Sequence, residues 1–125
     1  MGLFDKFKKA AENTQEEVIE KEDLSGLSMM DLLEKADQYL NEFNTTINKT
    51  NYSKLENVME EIAKKVPAIP LAKRTSFNAY SMSYKSYLTV FKQVLTGGRS
   101  ANPMYDTTVS STSALFGSLA FVLNQ

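Results

Sequence analysis

Between Met29 and Val66 the apolar residues of this chain recur in alternating steps of four and three: Met29, Leu33, Ala36, Leu40, Phe43 and Ile47, then Leu55, Met59, Ile62 and Val66. At 3.6 residues per turn this spacing places each set on one face of a helix, whereas a strand needs a period of two. The chain must therefore form amphipathic helices that bury their stripes against one another. Ser28 followed by Asp31 supplies an N-cap, with Leu27 and Leu32 placed as a hydrophobic staple. The Asn48 to Asn51 stretch favours a turn, Ser53 with Glu56 reads as the capping box of the next helix, and Pro67 stops it. Residues 28–66 thus form an acidic helical hairpin.

The flanking segments follow the same logic. Leu3, Phe4, Phe7, Ala11 and Val18 fall within about 100° of one another and predict an amphipathic helix over residues 1–24. Pro70 suits the first turn of a long helix over 69–97, which Gly97 and Gly98 end. Phe77, Tyr80, Tyr84, Tyr87, Leu88, Phe91, Val94 and Leu95 line one side of it. Asp106 caps a last helix over 106–123 carrying Val109, Leu115, Phe116, Leu119, Val122 and Leu123. The β-branched Thr107, Thr108, Val109 and Thr112 leave a strand over 107–113 as the alternative. With no long repeat, the expectation is a single all-α domain, a compact bundle of four to five helices with its first helix extended or docked.

Composition removes several chemistries. Cysteine, histidine and tryptophan are absent, so disulfides, zinc fingers, haem ligation, Ser-His or Cys-His pairs and imidazole acid-base catalysis are excluded. No phosphate loop, nucleophile elbow or carboxylate cluster at metal spacing is present in the sequence. Asp31, Glu34 and Gln38 share a helix face, as do Glu56 and Glu60, which is how solvated faces read. The expectation is a non-enzyme with no catalytic residues, no cofactor and no metal.

Charge is split along the chain. Residues 1–61 carry seven lysines and fourteen acids, whereas residues 62–105 carry seven cations and no acid. Three readings follow: an anionic partner, head-to-tail self-association, or an acidic hairpin laid against a basic helix within one bundle. Because the basic half is also aromatic, nucleic acid is one candidate partner, held through Lys73, Arg74, Lys85, Lys92 and Arg99. Against it, Tyr80, Tyr84, Tyr87 and Phe91 lie where a core needs them.

The N-terminal helix opens with Lys6, Lys8 and Lys9 and closes with glutamates, an order that opposes the helix dipole. Together with Leu3, Phe4 and Phe7 these lysines form a candidate for docking on a membrane or a protein partner. The opening MGLFDKFKK resembles the amphipathic starts of bacterial membrane-surface proteins, among them the phage-shock and vesicle-inducing family, and this resemblance implies a first helix lying on lipid. Such contact is weak and reversible, comparable with one acyl chain. Lys6 stands where a myristoylation signal needs Ser or Thr. The segment lacks a signal-peptide core, and Ala114 to Leu123 is about half the ~20 apolar residues of a bilayer span, so the expected location is cytoplasmic, with a membrane-peripheral variant.

From Thr107 to Gln125 no residue is charged. A surface helix normally shows a charged face, so this one is either central in the bundle or covered by another copy through Leu115, Gly117, Ser118 and Phe121. The sequence therefore points first to a non-enzymatic, self-associating adaptor, inhibitor or assembly component that acts by protein-protein binding. Many phage- or plasmid-encoded accessory proteins share this form. A nucleic-acid binder using residues 64–99 is the alternative, and a peripheral membrane protein the third reading.

Overall fold

Ser28 leaves extended backbone and its Oγ accepts the Asp31 amide at 3.1 Å, which opens α1 (Met29–Thr45) at the expected cap. The computed structural model describes residues 21–125, in which α1 is followed by α2 (Lys49–Lys65), α3 (Arg74–Gly97) and α4 (Tyr105–Leu123). Single 3₁₀ turns at Val66–Ala68, Leu71–Lys73 and Arg99–Ala101 connect them. No strand occurs among the described residues, and no helix there is long and apolar enough to cross a membrane.

Each helix packs on its two neighbours in chain order, and α4 closes the ring onto α1. Polar contacts fix the alternating directions. At one end Lys65 Nζ donates to the Ser25 carbonyl and Lys73 Nζ to that of Leu123. At the other, Arg99 Nη1 and the Tyr105 hydroxyl both donate to Asn44 Oδ1. The result is an all-α, up-down-up-down bundle with α1 diagonal to α3 and α2 diagonal to α4.

The core sits where the four stripes meet. Phe43 of α1 contacts the rings of Tyr52 of α2, Phe91 of α3 and Tyr105 of α4 at centroid distances of 6.2, 5.8 and 6.5 Å, so one aromatic from each helix joins a single layer. Nearer the other end, Tyr80 is fully buried, stacks on Tyr84 and donates its hydroxyl to the Met59 carbonyl at 2.8 Å. Tyr80→Phe is expected to cost about 1 kcal/mol in urea unfolding, because one buried hydrogen bond is lost while the packing remains.

Several expected boundaries move, each for a local physical reason. The capping box at Ser53 is not used: α2 is capped five residues earlier, where Asn48 Oδ1 accepts the Asn51 amide at 2.8 Å. Asn51 Nδ2 also donates to the carbonyls of Glu42 and Thr46, closing the end of α1. Pro70 precedes a 3₁₀ turn, and α3 begins only at Arg74. The last helix begins at Tyr105 instead of after Asp106, because Tyr105 belongs to the aromatic layer, while Asn102 Oδ1 takes the Met104 amide. Residues 107–113 are helix, not strand. Thr112 returns its hydroxyl to the Thr108 carbonyl at 2.7 Å, which lets it be buried on a helix.

The buried line of α4 runs Tyr105, Thr108, Thr112, Phe116 and Leu119, with Val109, Leu115, Val122 and Leu123 on its flanks. Of the expected first helix, residues 21–24 are described and are not helical. Glu22 accepts the Tyr39 hydroxyl at 2.6 Å and pairs with Lys35, while buried Leu24 joins the core.

Candidate interaction surfaces

The charge split leaves three readings: an anionic partner, head-to-tail self-association, or the acidic hairpin laid against the basic helix. The hairpin does pack on the basic helix through α2, but without ion pairs between them. Among the described residues the ion pairs are Lys35–Glu22, Lys54–Glu42, Lys64–Glu61 and Lys65–Glu61, none of which involves α3. Three of the five candidate cations satisfy backbone carbonyls instead. Lys73 takes the Leu123 carbonyl at the end of α4, Arg99 donates Nη2 to the Asn44 carbonyl as well as Nη1 to its Oδ1, and Arg74 donates to Ile69 O at 2.9 and 3.1 Å and to Pro67 O at 3.1 Å. These are acceptors that a helix end or a proline-containing linker leaves open.

Arg74 and Arg99 also stand at opposite ends of α3, whose 24 residues span about 36 Å. The five cations therefore do not form one patch. Arg74→Ala is expected to lower unfolding stability by about 2 kcal/mol, as charged donors to half-buried carbonyls are removed. Lys92→Ala is expected to change it by less than about 0.5 kcal/mol, and chemical unfolding of the two variants separates the roles.

What remains exposed on α3 is a narrower strip. Lys85 and Lys92 lie with Asn78, Met82, Thr89 and Thr96 within about 80° of the helix circumference, all exposed, Met82 by 85%. On the diagonal helix, α1, the outer face holds Asp31, Glu34, Gln38 and Asn41, all exposed. An open groove of 660 Å³ follows this face, lined by Glu34, Asp37, Gln38, Asn41 and Glu42 and by no cation. Glu42 accepts from Lys54 at 2.9 Å, which holds its carboxyl below the usual range, and Asp37 Oδ1 accepts from Ser113 of α4. Among the described residues no group of three or more acids is placed to hold a metal ion.

The uncharged helix stands at a corner of the ring, so it is not central. Ser110, Ser111, Ala114, Gly117, Ser118 and Phe121 face away from the bundle and are exposed, Phe121 by 68%. A Cβ placed on Gly117 meets no atom within 4 Å. Leu115 does not belong to this surface: it is half-buried against the core, about 120° around the helix from Phe121. The docking candidates Leu3, Phe4, Phe7, Lys6, Lys8 and Lys9 lie outside the described residues.

Two features were not singled out from the sequence. Asn44 joins Arg99 and Tyr105, and its only local signal was an amide in the last turn of a helix. Asp31 and Glu34 lie on a face that the sequence marks as solvated, and only the ring arrangement sets them diagonal to Lys85 and Lys92. The chain matches no protein-family model, no curated protein and no solved structure.

Proposed function

We propose that this protein is a non-enzymatic helical-bundle module that acts by protein-protein binding, with a second copy of itself as first partner and the outer face of α4 as the contact. The observation that carries this reading is the exposure of Phe121 on a helix face with no charge from Thr107 onward. Large exposed aromatics on small, uncharged faces are characteristic of surfaces that are covered in an assembly. Gly117 and Ser118 permit close helix approach, and Ala114 and Phe121 are equidistant from that pair along the helix. A two-fold antiparallel pairing thus sets each Phe121 against a small residue, Ala114 of the partner subunit. Burying two such rings is worth about 2 kcal/mol each, enough to support a dimer with the surrounding contacts.

Light scattering at tens of micromolar protein tests the reading. The wild type is expected to be a dimer, and Phe121→Glu or Gly117→Glu a helical monomer, because an unpaired charge at a close contact is costly to bury. A wild-type monomer refutes the reading.

A further inference from the structure

We propose that copies of this protein also stack head to tail, the acidic outer face of α1 on one copy docking on the basic outer face of α3 on the next. The two faces belong to diagonal helices of a four-helix ring, so they point in opposite directions. On α3, Lys85 and Lys92 are exposed and enter none of the ion pairs among the described residues, and no acid occurs between Ile62 and Tyr105. On α1, Asp31 and Glu34 are likewise exposed and outside those pairs, and the groove beside Glu34 and Asp37 has no cation in its lining. Lys85 and Lys92 are seven residues apart, about 10 Å along the axis, and Asp31 and Glu34 are three apart, about 4.5 Å, a difference that the flexible four-carbon lysine stems take up, so both amines reach carboxylates at once.

The occupant is a second copy because the complement is already present in the chain. On the outer face of α3 a polyanion would meet two cations, Lys85 and Lys92, since Lys73, Arg74 and Arg99 are bonded to carbonyls at its ends, and two phosphate contacts give a salt slope of only about −1.8. A contact between unlike faces on opposite sides of a molecule does not close on itself, so the product is an open row of copies. It does not depend on the α4 contact.

Exposed ion pairs are weak and screened, with a Debye length of about 30 Å at 10 mM salt and about 3 Å at 1 M. Sedimentation velocity of the full chain at these two ionic strengths is the test. In low salt the weight-average mass is expected to rise with protein concentration to at least about twice its high-salt value. K85E/K92E and D31K/E34K should each remain at the high-salt mass, and an equimolar mixture of the two should regain growth, because the reversed faces complement each other. Carbodiimide treatment of wild type mixed with isotopically labelled protein should join Lys85 or Lys92 to Asp31, Glu34 or Asp37 between copies, a readout that needs no variant.

The same mass at both ionic strengths overturns the proposal, as does growth that survives either reversal or a mixture that fails to regain it. Growth abolished by nuclease assigns the lysines to a bound polyanion and also overturns it. A dimer lost only in Phe121→Glu at high salt concerns the α4 contact alone, so failure of one reading is distinguishable from failure of the other.

Discussion

Phe43→Ala is expected to lower the free energy of unfolding by about 3–5 kcal/mol, the largest loss for any single truncation considered for this chain. Phe43 is fully buried and, among the described residues, is the one ring that touches an aromatic from each of the other three helices, Tyr52, Phe91 and Tyr105. Removing it takes away the transfer free energy of the ring and leaves a void whose walls belong to separate helices. Those walls cannot close without shifting the ring of helices as a whole. At roughly 4 °C per kcal/mol for a chain of this size, the melting temperature should fall by more than ten degrees. Met82→Ala, at an 85% exposed position, is the control and should change the free energy of unfolding in urea by less than about 0.5 kcal/mol. Equal losses in the two variants would contradict a core layer centred on Phe43.

The layer was legible in part. Phe43 and Phe91 fall on the apolar stripes of their helices, so period alone puts them inside. Tyr52 and Tyr105 were hidden because each lies next to a turn whose boundary was read a few residues too late. At α2 the local rules favour Ser53, whose Glu56 three residues on completes a capping box, over Asn48. The choice is made by Asn51, which reaches back to the carbonyls of Glu42 and Thr46, an interaction that depends on the hairpin having already closed. At α4 the asparagine at 102 and the pull of the aromatic layer outweigh the capping preference of Asp106. By contrast, the cap at Ser28 needs nothing beyond its own turn and was read correctly.

The surfaces show the same division. That α4 carries no charge beyond Asp106 is a fact of the sequence; that it occupies a corner and presents Phe121 outward follows from ring closure between α4 and α1. The charge split was equally plain, yet a count of cations and acids does not reveal that the acceptors are helix-end carbonyls. Arg74 illustrates this, since its guanidinium lies beside Pro67 and Ile69, where the linker has open carbonyls but no carboxylate.

Stability is expected to be level between about pH 6 and 9 and to collapse above about pH 10. The chain has neither histidine nor cysteine, so none of its side chains has an ordinary pKa in the level range. Above it, tyrosine ionisation dominates. Burial pushes Tyr52 up to about 12, with Glu56 adding to the effect, and raises Tyr80 well above the ordinary phenol value. Tyr39 and Tyr105 are raised by burial as well, and the Tyr39 hydroxyl and Glu22 hold the proton of Lys35 above its usual value. In each case the native chain keeps a proton that the unfolded chain releases. The stabilisation is complete below the unfolded pKa of about 10 and is lost as pH rises through the native values, so the slope of stability against pH is negative in that window. Thermal unfolding followed by circular dichroism at successive pH values should show the melting temperature falling steeply from about pH 10 to 12, with phenolate absorbance appearing together with loss of helix. Tyr80→Phe should flatten the fall even though it lowers stability at neutral pH, because the most deeply buried phenol no longer has to ionise. Phenolate that appears fully near pH 10 while the helices persist would show that these tyrosines are open to solvent, contrary to the packing of Tyr80 and Tyr52.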